Sequence, residues 1–197
     1  MDASSHISLS DIDIRPALRR KVLAPYRHDP DTVIIEELCL AQGLVRIDLV
    51  RVSNSLHGFE IKSDRDSLRR LDNQIGLYNR VMDYTTLVTA PKHFSAACNL
   101  LPPWWGIWIV EADANGPQIT VVRGSKKNPS RDPRTLAELL WRDAALALLE
   151  QHRSATGVRG KPRHKIWDRI GEKLKIESIA TAVRCHLKAR SSSISYA

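Results

Sequence analysis

Asp48, Glu60 and Lys62 are the residues whose types and spacing best suit chemistry. Asp48 stands between Ile47 and Leu49, and Glu60 between Phe59 and Ile61, so each carboxylate falls inside an apolar, strand-prone run. A carboxylate in such surroundings costs free energy unless something balances its charge. A divalent cation is one such partner, because hard cations such as Mg2+ take oxygen ligands and keep part of their water. Lys62 follows Glu60 by two residues and therefore projects from the same face of a strand. There it could orient a water molecule or offset charge on a phosphate. Glu37 precedes the turn that leads to Asp48 and could supply a third carboxylate. Plainer readings stand beside these. Asp48 could pair with Arg46 or Arg51 at a half-exposed position, and Glu60 with Lys62 could form a charged, solvent-facing strand edge.

These residues need a framework. Residues 15–26 form a short helix candidate, with Leu18, Val22 and Leu23 at helical spacing, Asp13 as a cap and Pro16 in the first turn. Residues 32–35 are β-branched strand, and residues 36–40 continue it or begin a bend. Residues 45–52 and 56–62 are two further strands. The short connections favour an antiparallel meander. Residues 64–82 read as a helix on the stripe Leu68, Leu71, Ile75 and Tyr78, capped by Asp64 or Asp66. Gln74 lies in that stripe, where a buried amide needs a partner, the Lys62 region or a substrate phosphate; the plainer reading is an amide at the edge of the stripe, touching water. Tyr78 shares its face, as core.

Strands follow at 85–89, 104–111 and 118–123, with a short helix at 94–101. Residues 133–151 read as one helix, 156–164 as a linker, and 165–174 and 179–187 as two more helices. The rings of the WWGIW run are expected mostly in the core, with Trp104 the one exposed. His57 is expected in a surface or turn position.

Net charge is +8, and it is unevenly spread. Residues 123–197 hold 17 basic and 7 acidic residues, whereas residues 1–122 hold 13 and 15. The basic back part suits a polyanion, and Arg65, Arg69 and Arg70 could touch a phosphate backbone. Three well-separated cysteines imply neither a disulfide framework nor a metal knuckle, and Cys39 and Cys98 are expected in the core. No apolar run is long enough for a membrane helix, and the start is unlike a signal peptide, so a cytoplasmic location is expected.

Asp48 together with Glu60-Ile61-Lys62 resembles the signature of the PD-(D/E)xK nuclease superfamily. The stretch EELCLAQGLVRIDLVRVSNSLHGFEIKSDRDSLRRLDNQIGLYNRVMDYTTLVTAPKH is most similar to the small bacterial sce7726 group. The resemblance implies Asp48 and Glu60 as metal ligands and Lys62 as the catalytic lysine. Glu37 would be the leading acidic residue, with Glu36 the competing choice. Gln74 and Tyr78 resemble the Q-x-x-x-Y element of the exonuclease-like branch. Ile47, where many members have proline, departs from the pattern.

The expectation is therefore an α/β fold, restriction-endonuclease-like, with a central mixed β-sheet flanked by helices. Its core would span residues 13–151, with a basic helical extension over 152–190 and loose termini at 1–12 and 191–197. The expected activity is Mg2+- or Mn2+-dependent hydrolysis of nucleic-acid phosphodiester bonds, DNA ahead of RNA. Glu37, Asp48, Glu60, Lys62 and Gln74 would be the catalytic set, and a homodimer would be compatible. The alternative is a non-catalytic module of the same fold that binds nucleic acid or a protein.

Overall fold

The computed structural model describes residues 8–194, with side chains described as far as Ser191. The chain begins with α1 (Asp11–Leu23) and a three-strand meander, β1 (Val33–Leu40), β2 (Val45–Val52) and β3 (Leu56–Lys62). It continues through α2 (Leu71–Val81), β4 (Tyr84–Thr89), α3 (Phe94–Leu100), β5 (Gly106–Asp113) and β6 (Gly116–Arg123). Four helices follow: α4 (Pro133–Ala137), α5 (Arg142–Gln151), α6 (Arg163–Lys173) and α7 (Ile176–Ile194).

The six strands lie in the order β1-β2-β3-β4-β5-β6. β3, β4 and β5 run parallel, and the remaining pairs are antiparallel. The parallel pairs need crossovers, which α2 and α3 supply, while the outer strands are joined by tight turns. A mixed sheet flanked by helices is thus present.

Each face of the sheet has its own core. On one side, Ile14, Leu18 and Val22 of α1 pack on Leu49, Phe59, Ile61, Val88 and Val110. On the other, α2 and the C-terminal helices cover Val50, Val52, Leu56, Leu87 and Ile107. Ile166, Trp167, Ile170, Ile179 and Val183 belong to this second core, so α6 and α7 share it with the sheet. Trp167 is fully buried and its Nε1 donates to the Leu140 carbonyl (3.2 Å), which satisfies the one polar atom of the ring.

One irregularity shapes the site. In β1, Val33 and Ile35 pack with the second core, and so do Leu38 and Leu40. Strict alternation would have put Leu38 on the opposite face from Ile35. The change of parity falls at Glu37, whose φ of 56° is left-handed. The β1–β2 ladder skips the facing pair Glu37 and Asp48, passing from Glu36↔Leu49 to Leu38↔Ile47. Both side chains thereby leave the regular ladder and reach the same opening.

Several elements differ from the sequence expectation. The helix expected at 64–82 starts only at Leu71, because Ser63 through Arg70 form turns in which Asp66 accepts from the Ser63 N–H and hydroxyl (2.8 and 2.6 Å). The helix expected at 133–151 is two helices, with Trp141 in extended conformation between them. Ser10, with Asp13 three places on, makes the capping box of α1, so Asp13 is not the cap itself, and Pro16 lies inside the helix. Helix α7 runs to Ile194, past the start of the expected loose tail. The expectation for 1–7 and 195–197 lies outside the described residues. Cys39 and Cys98 are exposed rather than core. His57 is buried rather than on the surface. Among the described residues no helix is long and apolar enough to cross a membrane.

Candidate functional site

A cleft of about 940 Å³ opens between the β1–β2 hairpin and α2. Its walls include Arg15, Glu37, Arg46, Asp48, Glu60, Lys62, Arg70, Gln74 and Arg80. The structure therefore brings all five sequence-nominated residues to one place. It also separates Glu37 from Glu36. Glu37 lines the cleft, whereas the Glu36 carboxylate accepts from Arg19 (2.9 Å).

Glu60 is the best-satisfied group in the cleft. It is 1% exposed, on the face of β3 that meets α2. Its Oε1 accepts from Lys62 Nζ and Gln74 Nε2, each at 2.6 Å, and its Oε2 accepts from the Tyr78 hydroxyl, also at 2.6 Å. Lys62 is itself 5% exposed. A buried ion pair survives where extra hydrogen bonds satisfy the remaining lone pairs, and the α2 residues Gln74 and Tyr78 supply them here. Burial, then the neighbouring Glu60 charge, holds the Tyr78 hydroxyl protonated, well above its ordinary range. Gln74 Oε1 is buried without a hydrogen-bond partner.

Asp48 is less balanced. Its Oδ2 accepts from the Ile61 N–H (2.6 Å), so a side chain takes the place of a ladder partner between β2 and β3. Its Oδ1 lies 3.8 Å from Arg15. Burial, and then repulsion from Glu60, pushes the Asp48 carboxyl up to about 7, while the Ile61 N–H pulls the other way. Glu37 is held at both oxygens, by Arg15 (2.7 Å) and by Arg46. Arg15 ties the acidic groups together. It donates to Asp11, Glu37 and the Asp48 carbonyl (2.8 Å). Sequence reasoning gave Arg15 no role. The available signal was its place four residues after Asp11 on a helix that the meander had to cover.

Among the described residues, no group of three or more His, Cys, Asp or Glu side chains is placed to hold a metal ion. Arg15 stands between Glu37 and Asp48, and Glu60 is enclosed by three protein donors.

A second charged region lies on the helical layer. Residues 151–165 carry Arg153, Arg159, Lys161, Arg163 and Lys165, all exposed, with no Asp or Glu among them. Arg159 pairs with Glu150 (3.0 Å), and Lys165 stands 3.7 Å from Asp168. Arg142 donates to the carbonyls of Arg159 and Lys161, which fixes the loop against α5. Of the three arginines nominated after the Glu60 strand, Arg70 alone lines the cleft.

Known proteins resemble this chain as follows. It is 45% identical over 65 residues to protein cII of enterobacteria phage P4, an alignment covering 33% of this chain and 25% of that protein. The matched segment thus spans a quarter of the length of that curated relative. A solved protein of unknown function from Silicibacter pomeroyi, SPO1766, is 20% identical, with 74% of this chain and 93% of that chain covered and a TM-score of 0.42. A likeness that weak carries no argument about fold or activity. The sequence pattern of the family described as bacteriophage P4 protein cII matches residues 18–197.

That match overturns the PD-(D/E)xK assignment, and the expectation of a deoxyribonuclease that hydrolyses phosphodiester bonds goes with it. The side chains give the physical reason the short motif misled. Glu60 and Lys62 are committed to each other and to Gln74 and Tyr78, Glu37 is held by Arg15, and with Asp48 they form no three-ligand group. By its match over nearly all its length, the chain belongs to the bacteriophage P4 protein cII family.

Proposed function

We propose that this protein is a nucleic-acid-binding module that works without turnover, holding the phosphate backbone of DNA through the basic surface of its helical layer. The observation that carries this reading is the exposed run at 151–165, five cations with no carboxylate, pinned to the fold by Arg142. Phosphate contacts of this kind position a protein on its partner and release condensed counterions. A fixed loop presents them with little further ordering. The sheet would keep a restriction-endonuclease-like layout, β1-β2-β3-α2-β4, put to binding instead of cutting.

The cleft has a supporting part in this proposal. Asp48 is the acidic side chain with an under-used oxygen, whereas both oxygens of Glu37 are held by guanidinium groups. Asp48 would hold Mg2+ or Mn2+ through that one under-used oxygen as a binding bridge to a phosphate, with no bond broken. Melting with and without Mg2+ tests this part. The wild type is expected to gain stability that D48N does not, and an equal gain in both proteins would refute it.

The direct test is fluorescence anisotropy with a labelled DNA duplex, for wild type beside the K161A/R163A/K165A variant. The wild type should bind with an affinity that falls steeply with salt. The variant should bind at least tenfold more weakly with a shallower dependence, each lost phosphate contact taking about 0.9 from the logarithmic slope. Equal binding by the two proteins, or none by the wild type at low salt, would refute the proposal.

A further inference from the structure

Of the five tryptophans, Trp141 alone is exposed, at 55%. Trp105 and Trp167 are core, and Trp104 and Trp108 are half-buried. Trp141 occupies the extended break between α4 and α5, where a loop residue could have been polar at no cost to packing. The guanidinium of Arg190, from α7, lies 4.3 Å from the centre of the indole. The His186 ring meets it at 5.5 Å and 70°, and His186 Nε2 accepts from the Trp141 backbone N–H (3.4 Å). The ring is therefore contacted by two α7 side chains while the residue stays 55% exposed. Arg142, the next residue, donates to the carbonyls of Arg159 and Lys161 and so ties the cationic 159–161 segment to the start of α5.

An exposed indole in a cationic setting has a specific use. Every nucleobase has a π-face, so a rigid aromatic ring accepts any unpaired base, and nearby cations hold the phosphates on either side. A paired base inside a duplex cannot reach such a ring without unstacking. We infer that Trp141, braced by His186 and Arg190 and followed by Arg142, which holds the cationic 159–161 segment, is a stacking platform for an unpaired base, and that this surface engages single-stranded nucleic acid. The inference rests on the nucleic-acid reading above and adds the strand state of the partner and the residue that recognises it.

Binding of an oligothymidylate and of a duplex of equal length, measured by anisotropy for wild type, W141A and W141F across a salt series that starts low, tests it. W141A should weaken oligothymidylate binding by about fivefold to a hundredfold. W141F should recover part of that loss. Duplex binding should change by less than about twofold, and the melting temperature of both variants should match the wild type. Oligothymidylate binding that ignores W141A would overturn the platform, and so would equal losses for both ligands. A change from dimer to monomer in W141A with unaltered oligothymidylate binding would overturn it too, assigning the ring to a contact between copies of this chain. Failure of the wild type to bind either ligand at low salt would instead sink the nucleic-acid reading as a whole. Retained, salt-sensitive duplex binding with a silent Trp141 would sink the platform alone.

Discussion

At the residue scale, the cleft shows how a carboxylate and an ammonium can be buried together, with Glu60 and Lys62 both nearly inaccessible. The Glu60 carboxylate is stabilised by an ammonium, an amide and a phenol at once. Removing Lys62 leaves that charge short of its counterion, so K62A should cost about 3 kcal/mol and lower the melting temperature by about 6–12 °C. The double variant E60Q/K62M should recover much of the loss. Urea denaturation checks both, and a K62A protein as stable as the wild type would show the pair to be solvent-screened.

Asp48 and His57 carry opposite pH signatures. The Asp48 carboxyl is raised to about 7, so its proton stays on in the folded chain where the unfolded chain has already lost it. Stability linked to Asp48 is present near pH 4 and lost as pH rises through about 7. D48N, measured in EDTA, should remove this slope. His57 is held down to about 3 by burial and then by the Arg51 charge, stacked on Phe59 at 4.2 Å and bonded to Thr86 (2.9 Å). Its share of stability is full above about pH 6.5 and is lost as pH falls toward 3. H57Q should therefore flatten the acid side of the profile, and an unchanged acid limb would contradict the burial of a neutral imidazole.

At the element scale, the break of parity at Glu37 and Asp48 builds the cleft, and it is the feature sequence patterning was least able to show. Strands β2 and β3 have the extents expected from alternating and β-branched residues, and β1 differs by one residue. The left-handed φ of Glu37 has no composition signal, because a glutamate rarely adopts it. The helix before α2 was overestimated for a related reason. Leu68 extends the apolar stripe by spacing, yet the Ser63–Asp66 side-chain turn competes with helix over that stretch. Trp141 likewise interrupts a run of leucines and alanines that periodicity alone joins into one helix. Period two on β3 was enough to set Glu60 beside Lys62, whereas Asp48, on β2, and Gln74, on α2, were joined to them through the family resemblance. The ties to Arg15 and Tyr78 depend on tertiary placement. Gly106 gives an element-level prediction. A Cβ there would lie 2.7 Å from Thr86 Oγ1 and 3.1 Å from the Ser125 nitrogen, between β4 and the chain leaving β6. G106A should destabilise by about 1–3 kcal/mol, read as a lower urea midpoint with an unchanged slope.

At the scale of the whole molecule, charge and fold are divided between the two ends of the sequence. Residues 1–122 are nearly neutral and build the sheet and cleft, whereas residues 123–197 carry a net +10 (17 basic against 7 acidic). The basic part is nonetheless no loose tail, since Ile166, Trp167, Ile170, Ile179, Val183 and Leu187 lie in the same core as the sheet. Its cations therefore sit on a rigid surface and should act as a fixed field rather than as a flexible brush. One measurement tests binding and the absence of cutting together. End-labelled duplex and single-stranded DNA would be incubated with the protein and Mg2+ across a salt series, bound fractions read by anisotropy, and the recovered strands sized on a denaturing gel. Binding whose logarithm falls linearly with the logarithm of salt, with every strand recovered at full length, is the result the account predicts. Shortened strands in wild type, absent from D48N and K62A, would contradict it, as would the lack of any salt-sensitive binding.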